Sequence, residues 1–238
     1  MLPTASRKQP IEEVTYMRRL FSSPLSPYAA KARIALYEKG LEFEKINVLW
    51  DPVRGFAEKP AEMLAINPKG QVPTLVDGEI ALYDSTIILE YLEERYPNPP
   101  LYPKNIAARV QCRLLEDFAD TVLADAGRIL RVEVFGKPDP AARDQVAIGK
   151  AHSVLHSAWS MLDKQLGDNE YLCDSFTVAD IGCYVHNRLL RFIGTVPDAS
   201  WQLLHNWIGR MENRPSVQID LPEVNESFSA LFVPRTVT

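Results

Sequence analysis

Cysteine is scarce in this chain: three occur among 238 residues, Cys112, Cys173 and Cys183. They are too few and too scattered for a disulfide framework and are not spaced as zinc ligands, which predicts free thiols, no metal site and a reducing, cytoplasmic setting. Long apolar runs are missing as well, since no stretch approaches the ~20 residues that cross a bilayer and the N-terminus has no hydrophobic signal core. Positive charge is in deficit, with 26 Lys and Arg against 31 Asp and Glu for a net charge of -5, so there is no basic field for a nucleic-acid backbone. Neither membrane nor nucleic acid is expected as a partner. The four histidines all lie beyond residue 150, with no evident serine-hydrolase arrangement.

What is present suits a folded protein: 46% hydrophobic and 24% charged residues. At ~150 residues per domain the length predicts one large domain or two modest ones. Residues 1–16 carry charge and two prolines without periodicity and are read as a flexible leader. Arg18-Arg19-Leu20-Phe21 is a short extended segment, and Ser22-Ser23-Pro24-Leu25 is turn chemistry. Ser26-Pro27 then starts a helix: a serine oxygen accepts from orphan first-turn amides, and proline at the first helical position sacrifices no bond. Ala30, Ile34, Ala35, Leu36 and Tyr37 form its apolar face, and Lys39-Gly40 closes it. Alternation over residues 41–48 predicts a strand parallel to the first. Residues 72–76 and 80–83 form a hairpin about Asp77-Gly78. Asp84-Ser85 caps a helix from Thr86 to about Arg95, with Ile87, Ile88, Tyr91 and Leu92 on its apolar side.

Four prolines between Pro97 and Pro103 mark a stiff connection. This divides the chain into a sheet-and-helix domain at 17–97, a linker at 98–103 and a helical domain at 104–238. In the last, Leu114, Leu115, Phe118, Val122 and Leu123 recur at helical spacing. Thr177 and Asp180 form a capping box, flanked by the hydrophobic staple pair Phe176 and Ile181. From Pro215 onward no period is evident, and an irregular tail is expected.

Four segments together resemble the cytosolic glutathione transferase superfamily: Leu20-Phe21 through Ser26-Pro27-Tyr28 to Leu36; Asn67-Pro68-Lys69-Gly70-Gln71-Val72-Pro73-Thr74-Leu75; Tyr83-Asp84-Ser85-Thr86 through Leu92; and Phe176-Thr177-Val178-Ala179-Asp180. The motifs are most similar to a serine-type, theta/zeta-like bacterial branch, although the paired serine-cysteine motif of the isomerases is absent. The resemblance implies an α/β thioredoxin-like N-terminal domain followed by an all-α helical bundle, glutathione as co-substrate, no metal, and a homodimer.

It also implies roles for particular residues. Pro73 would be a cis-proline exposing the Val72 backbone to the cysteinyl part of glutathione, as in sheet extension; Gln71 and Lys69 would reach its glycyl end. The Ser85 amide and hydroxyl would take the γ-glutamyl carboxylate at a helix N-terminus, and Asp84 the ammonium. Ser26 would be catalytic. An unperturbed thiol is only about 3% ionised at pH 7, and lowering its pKa by ~2 units takes about 2.7 kcal/mol of preferential thiolate stabilisation. A hydroxyl donor at a helix N-terminus supplies that kind of stabilisation. Tyr28, Trp50 and Phe118, with Leu115 and Val122, would line the site of a small, largely apolar or aromatic electrophile; Arg109 and Arg113 are read as a solvated helix face or a dimer contact. Ser26, Asp84-Ser85 and Val72-Pro73 each suit a purely structural role as well. Two further functions stay open: a noncatalytic glutathione-binding or scaffold module, and a glutathione-dependent disulfide reductase.

Overall fold

The computed structural model describes residues 17–49, 58–137 and 139–232. The leader at residues 1–16, Trp50 and the last six residues lie outside them. β1 (Arg18–Ser22) pairs in parallel with β2 (Phe43–Asn47) and antiparallel with β3 (Thr74–Asp77), which pairs antiparallel with β4 (Ile80–Tyr83), for a sheet order β2-β1-β3-β4. The hairpin turns one residue later than its sequence predicts: Asp77 still pairs with Ile80, and Gly78, at φ +63°, opens the loop. An L side chain rarely adopts that φ, so glycine sets the turn.

α1 (Pro27–Glu38) is capped by Ser26, α2 (Ala61–Ile66) lies in the connection from β2 to β3, and α3 (Ser85–Arg95) is capped by Asp84. On α3 it is Ile88, Leu89 and Leu92 that are buried, whereas Ile87 faces outward, which corrects its assignment to the apolar side. Beyond Arg95, only helical elements occur among the described residues. α4 (Ile106–Phe118) runs through a π-helical turn, Ala119–Leu123, into α5 (Ala124–Phe135); α6 (Gln145–Leu166), α7 (Val178–Phe192), α8 (Gln202–Glu212) and α9 (Pro215–Phe232) complete the bundle. This is the thioredoxin-like sheet domain followed by an all-helical one.

From Pro215 to Phe232 the chain is helical, not the irregular tail its sequence suggests. α9 is a helix of 18 residues with Pro222 inside it. Val217, Asp220, Val224 and Phe228 recur every three or four residues and are buried, but an interior proline and a charged residue in the stripe hide that period.

One hydrophobic core runs through both halves, from Leu20 and Leu75 in the sheet through α1 and α3 to Leu155, Leu162 and the length of α7. α1 is therefore enclosed nearly all round, and even its Lys31 and Arg33 are fully buried. The proline-rich connection is pinned to the core. The Lys39 ammonium donates to the Glu93 carboxylate (2.9 Å) and to the carbonyls of Tyr96 (2.7 Å) and Pro99 (2.9 Å), while Glu93 also accepts from the Leu101 amide at 2.9 Å. The Leu101 carbonyl in turn accepts from the Val178 amide at 3.0 Å, serving an orphan donor of the first turn of α7. The Thr177–Asp180 capping box is formed as read from the sequence. Its carboxylate also accepts from Leu172 N–H and from Trp207 Nε1, each at 2.9 Å, tying α7 to α8.

Candidate active site

A cavity of about 410 Å³ opens where the starts of α1 and α3 converge on the Asn67–Pro73 loop, with α5, α7 and α9 forming the opposite wall. Ser26, Tyr28, Lys69, Gln71, Val72, Pro73, Asp84 and Ser85 all border it, so segments up to 59 positions apart in the chain meet here as the sequence reading expects.

Ser26 is almost buried, and its Oγ accepts from the Ala29 amide at 3.2 Å. Accepting that bond leaves its own O–H free to donate. Ser22 and Ser23 are buried away from the cavity lining. Arg33 fixes the turn between them and Ser26: it donates to Ser22 Oγ at 2.8 Å and to the Ser23 carbonyl at 2.9 Å, and that carbonyl also accepts from Ser26 N–H at 3.1 Å. Arg33 is itself anchored by Asp220 of α9 at 2.5 Å, and Arg188 of α7 binds the same carboxylate at 2.9 Å. Burial opposes ionisation of Asp220, but the two guanidiniums outweigh it and hold its pKa below the usual range.

The Val72–Pro73 bond is cis. Among the described residues no backbone hydrogen bond engages Val72, leaving its N–H and C=O as an unpaired edge beside the sheet. Asn67 shapes the loop, its Nδ2 donating to the Gln71 carbonyl at 2.7 Å and its Oδ1 accepting from Lys69 N–H at 3.0 Å. Gly70 suits this loop, because its φ of +56° lies in the left-handed region that favours glycine. At the third side, Asp84 Oδ1 accepts from the Thr86 amide at 3.1 Å, which leaves the second carboxylate oxygen unengaged by that cap. Asp84 holds φ +81°, a strained conformation for a non-glycine residue that costs on the order of 1–3 kcal/mol and concentrates at functional sites.

Three of the expected substrate-wall residues lie elsewhere. Phe118 and Val122 border a separate hollow against Ser153, Val154 and Met161 of α6, and Leu115 is sealed in the core. Along this stretch the cavity wall begins at Ala124, just after the π-helical turn. Trp50 is outside the described residues. Arg113 pairs with Glu90 at 2.9 Å and Arg109 stacks 4.9 Å from the Tyr102 ring centre, both away from the cavity.

The wall that sequence spacing did not disclose consists of Asp125, Arg128 and Arg131 on α5, His186 and Leu189 on α7, and Phe228 on α9. His186 meets Tyr28 edge-on at 5.2 Å, and its Nε2 lies 3.2 Å from Asp120 Oδ1. Lys31 Nζ binds Asp120 at 2.5 Å and Glu116 at 2.7 Å, and Thr86 Oγ1 donates to Glu116 at 2.9 Å. Burial pulls the His186 pKa down, against the raising influence of Asp120. Burial likewise works against the Asp120 charge, but the bonds from His186 and Lys31 prevail and lower its pKa. The pair is thus neutral imidazole and carboxylate, which puts the ring proton on Nε2 because a carboxylate only accepts.

Comparison with known proteins gives this arrangement its lineage. A family model for the glutathione S-transferase N-terminal domain matches residues 20–100. Glutathione S-transferase F10 of Arabidopsis thaliana is 33% identical over 167 residues, 67% of this chain and 74% of that protein. The chain belongs to the glutathione S-transferase family. The family's enzyme from Rhodospirillum rubrum F11 superposes with a TM-score of 0.74 at 31% identity, over 87% of this chain and 92% of that one. The enzyme from Methylobacterium radiotolerans, solved with glutathione sulfonate, gives 0.73 at 30% identity over 87% and 95%. Similar proteins carry other names too. FtsZ-localized protein A of Caulobacter vibrioides is 27% identical over 214 residues, 83% of this chain and 88% of that protein. A stringent starvation protein A homolog of Coxiella burnetii is 43% identical over 97 residues, so the match spans 40% of this chain and less than half, 43%, of that relative.

Proposed function

We propose that this protein is a glutathione transferase of the serine type, close to the theta/zeta-like branch, in which Ser26 stabilises the glutathione thiolate for attack on a small apolar or aromatic electrophile. The observation that carries this reading is the convergence of a free Ser26 hydroxyl, an unpaired Val72 edge and the start of α3 on one cavity. Those three features fit the tripeptide: the Val72 amide and carbonyl suit its peptide backbone, Ser85 its γ-glutamyl carboxylate, Asp84 its ammonium, and Lys69 with Gln71 its glycyl end. Glutathione brings the nucleophilic sulfur. Ser26 donates its hydroxyl proton in a hydrogen bond to that sulfur, and the N-terminus of α1 adds its positive field. Ser26 needs no base of its own, because it is neither alkylated nor acylated.

The test separates recognition from activation. Calorimetry on Asp84→Ala and Ser85→Ala should show glutathione affinity falling by roughly ten- to a hundredfold, as for lost bonds to charged groups. Ser26→Ala should retain affinity and lose turnover of 1-chloro-2,4-dinitrobenzene. Unaltered affinity in both of the former would remove the recognition site.

A second reading, a glutathione-binding scaffold without turnover, is favoured by the similarity to FtsZ-localized protein A, which extends over most of both chains. It predicts the same binding losses with no turnover in the wild type. Glutathione-dependent disulfide reduction is told apart by turnover of a small disulfide. We place the protein in the cytoplasm on its sparse, unpaired cysteines and the lack of any helix, among the described residues, long and apolar enough to cross a membrane. We also propose a homodimer joined through α4, where Ile106, Val110 and Leu114, 82%, 50% and 58% exposed, form an apolar stripe at four-residue spacing.

A further inference from the structure

The helical wall of the cavity carries a charge imbalance that glutathione recognition does not use. Several arginines that reach the core are matched by carboxylates, Arg18 by Asp77, Arg33 and Arg188 by Asp220, Arg214 by Glu38, while Arg109 is covered by the Tyr102 ring and Arg143 and Arg210 by backbone carbonyls. Arg131 is half-buried and borders the cavity, yet among the described residues it forms no ion pair. Its neighbour one helical turn earlier, Arg128, has the same sign and only a long 3.4 Å contact with the exposed Asp125. Burial lowers the Arg131 pKa; Tyr28 opposes that fall and Arg128 adds to it, so the guanidinium stands in a place that favours an incoming negative charge. Around this pair the wall offers Leu189, Phe228 and the Tyr28 ring, with Asp125 and His186 as its other polar groups. The groups assigned above to glutathione, Lys69 to Val72 and Asp84-Ser85, come instead from the Asn67–Pro73 loop and the start of α3.

We infer that Arg131, seconded by Arg128, is an anion site on the acceptor side of the cavity, so that the preferred electrophile is an aromatic or apolar compound bearing a carboxylate. The planar guanidinium matches a carboxylate in two parallel hydrogen bonds, and the apolar residues of the wall take the remainder of the molecule. This inference rests on the transferase reading for its chemistry: the thiolate sulfur forms a bond to the electrophilic carbon, and the leaving group departs with its electron pair. Arg131 holds the carboxylate and takes no part in that exchange.

The experiment compares 4-chloro-3,5-dinitrobenzoate with its neutral amide, 4-chloro-3,5-dinitrobenzamide; both lose chloride to the glutathione sulfur. Each kcat/KM is divided by the uncatalysed rate at the same pH. The wild type should favour the benzoate by roughly tenfold or more, as expected for a charge-assisted pair. The ratio should fall towards one in Arg131→Ala and in Arg131→Met, which keeps an apolar stem; recover partly in Arg131→Lys; lie between in Arg128→Ala; and shrink as salt is raised. A wild-type ratio near one, or a ratio unmoved in Arg131→Met, overturns the inference. If neither compound is turned over by the wild type, the transferase reading fails on its own. Calorimetry of S-(4-carboxy-2,6-dinitrophenyl)glutathione against its amide then decides the anion site by the same ratio and the same variants.

Discussion

At the residue scale, a few polar atoms are held beside the cavity where a thiolate would develop charge. Ser26 spends one lone pair on capping α1 and keeps its proton for the cavity, so structural and chemical roles share one side chain. Tyr28 is the neighbouring hydroxyl, but burial raises its pKa and its O–H points to the Asp120 carbonyl, a long 3.4 Å contact. The bound thiol should therefore stay acidic in Tyr28→Phe, and absorbance titration of that variant checks it. His186 supplies a pH prediction. Its pKa is lowered below 6.5 in the folded protein, so the unfolded chain binds the proton more tightly; the stabilisation is whole above pH 6.5 and is lost as pH falls through the folded value. Urea unfolding from pH 7.5 to 5 should show stability declining in the wild type and a flatter profile in His186→Gln. Ser26 and Asp84 were legible as helix caps spelled by adjacent residues, whereas the cis Val72-Pro73 edge was legible only through the resemblance to the family. Arg131, His186 and Phe228 were not, since only the packing of α5, α7 and α9 brings them to the cavity.

At the scale of elements, α9 matters most, because Asp220 reaches across to Arg33 and through it to the turn that carries Ser26. Asp220→Ala leaves two buried guanidiniums without their anion, and breaking such a network costs about 3–5 kcal/mol. Urea midpoints measure this; a loss below about 1 kcal/mol would show that α9 does not anchor the turn. The depressed Asp220 pKa gives the same element an acid limit: its stabilisation is present above the ordinary carboxylate value of 3.8 and disappears as pH drops through the folded value. The sequence disclosed α1, α3 and the start of α7 through caps that are purely local, Ser26-Pro27, Asp84 and Thr177–Asp180. It concealed α9, where Pro222 breaks the apparent rhythm and Asp220 in the buried stripe is a charged residue satisfied only by tertiary contact. Phe118 was misplaced for a related reason: Glu116 and Asp120, two positions to either side, are the residues that meet Lys31, so Phe118 turns to α6, and only the tertiary ion pairs fix that phase.

At the scale of the whole molecule, the two halves share one core and two buried ionic networks, Lys31 with Glu116 and Asp120, and Arg33 with Asp220 and Arg188. The sheet domain and the helical bundle should therefore unfold together: far-ultraviolet dichroism and tryptophan fluorescence should give coincident transitions, and separated midpoints would contradict this. The α4 stripe should hold two copies, so that Val110→Glu with Leu114→Glu lowers the mass seen by sedimentation without disturbing secondary structure. The measurement that reaches the central claim most directly is a pH titration of thiolate absorbance for glutathione bound to the wild type and to Ser26→Ala. The account predicts a thiol pKa lowered by roughly two units on the wild type, returning towards its free value in the variant. A bound thiol with an undepressed pKa, or one equally depressed without Ser26, would contradict it.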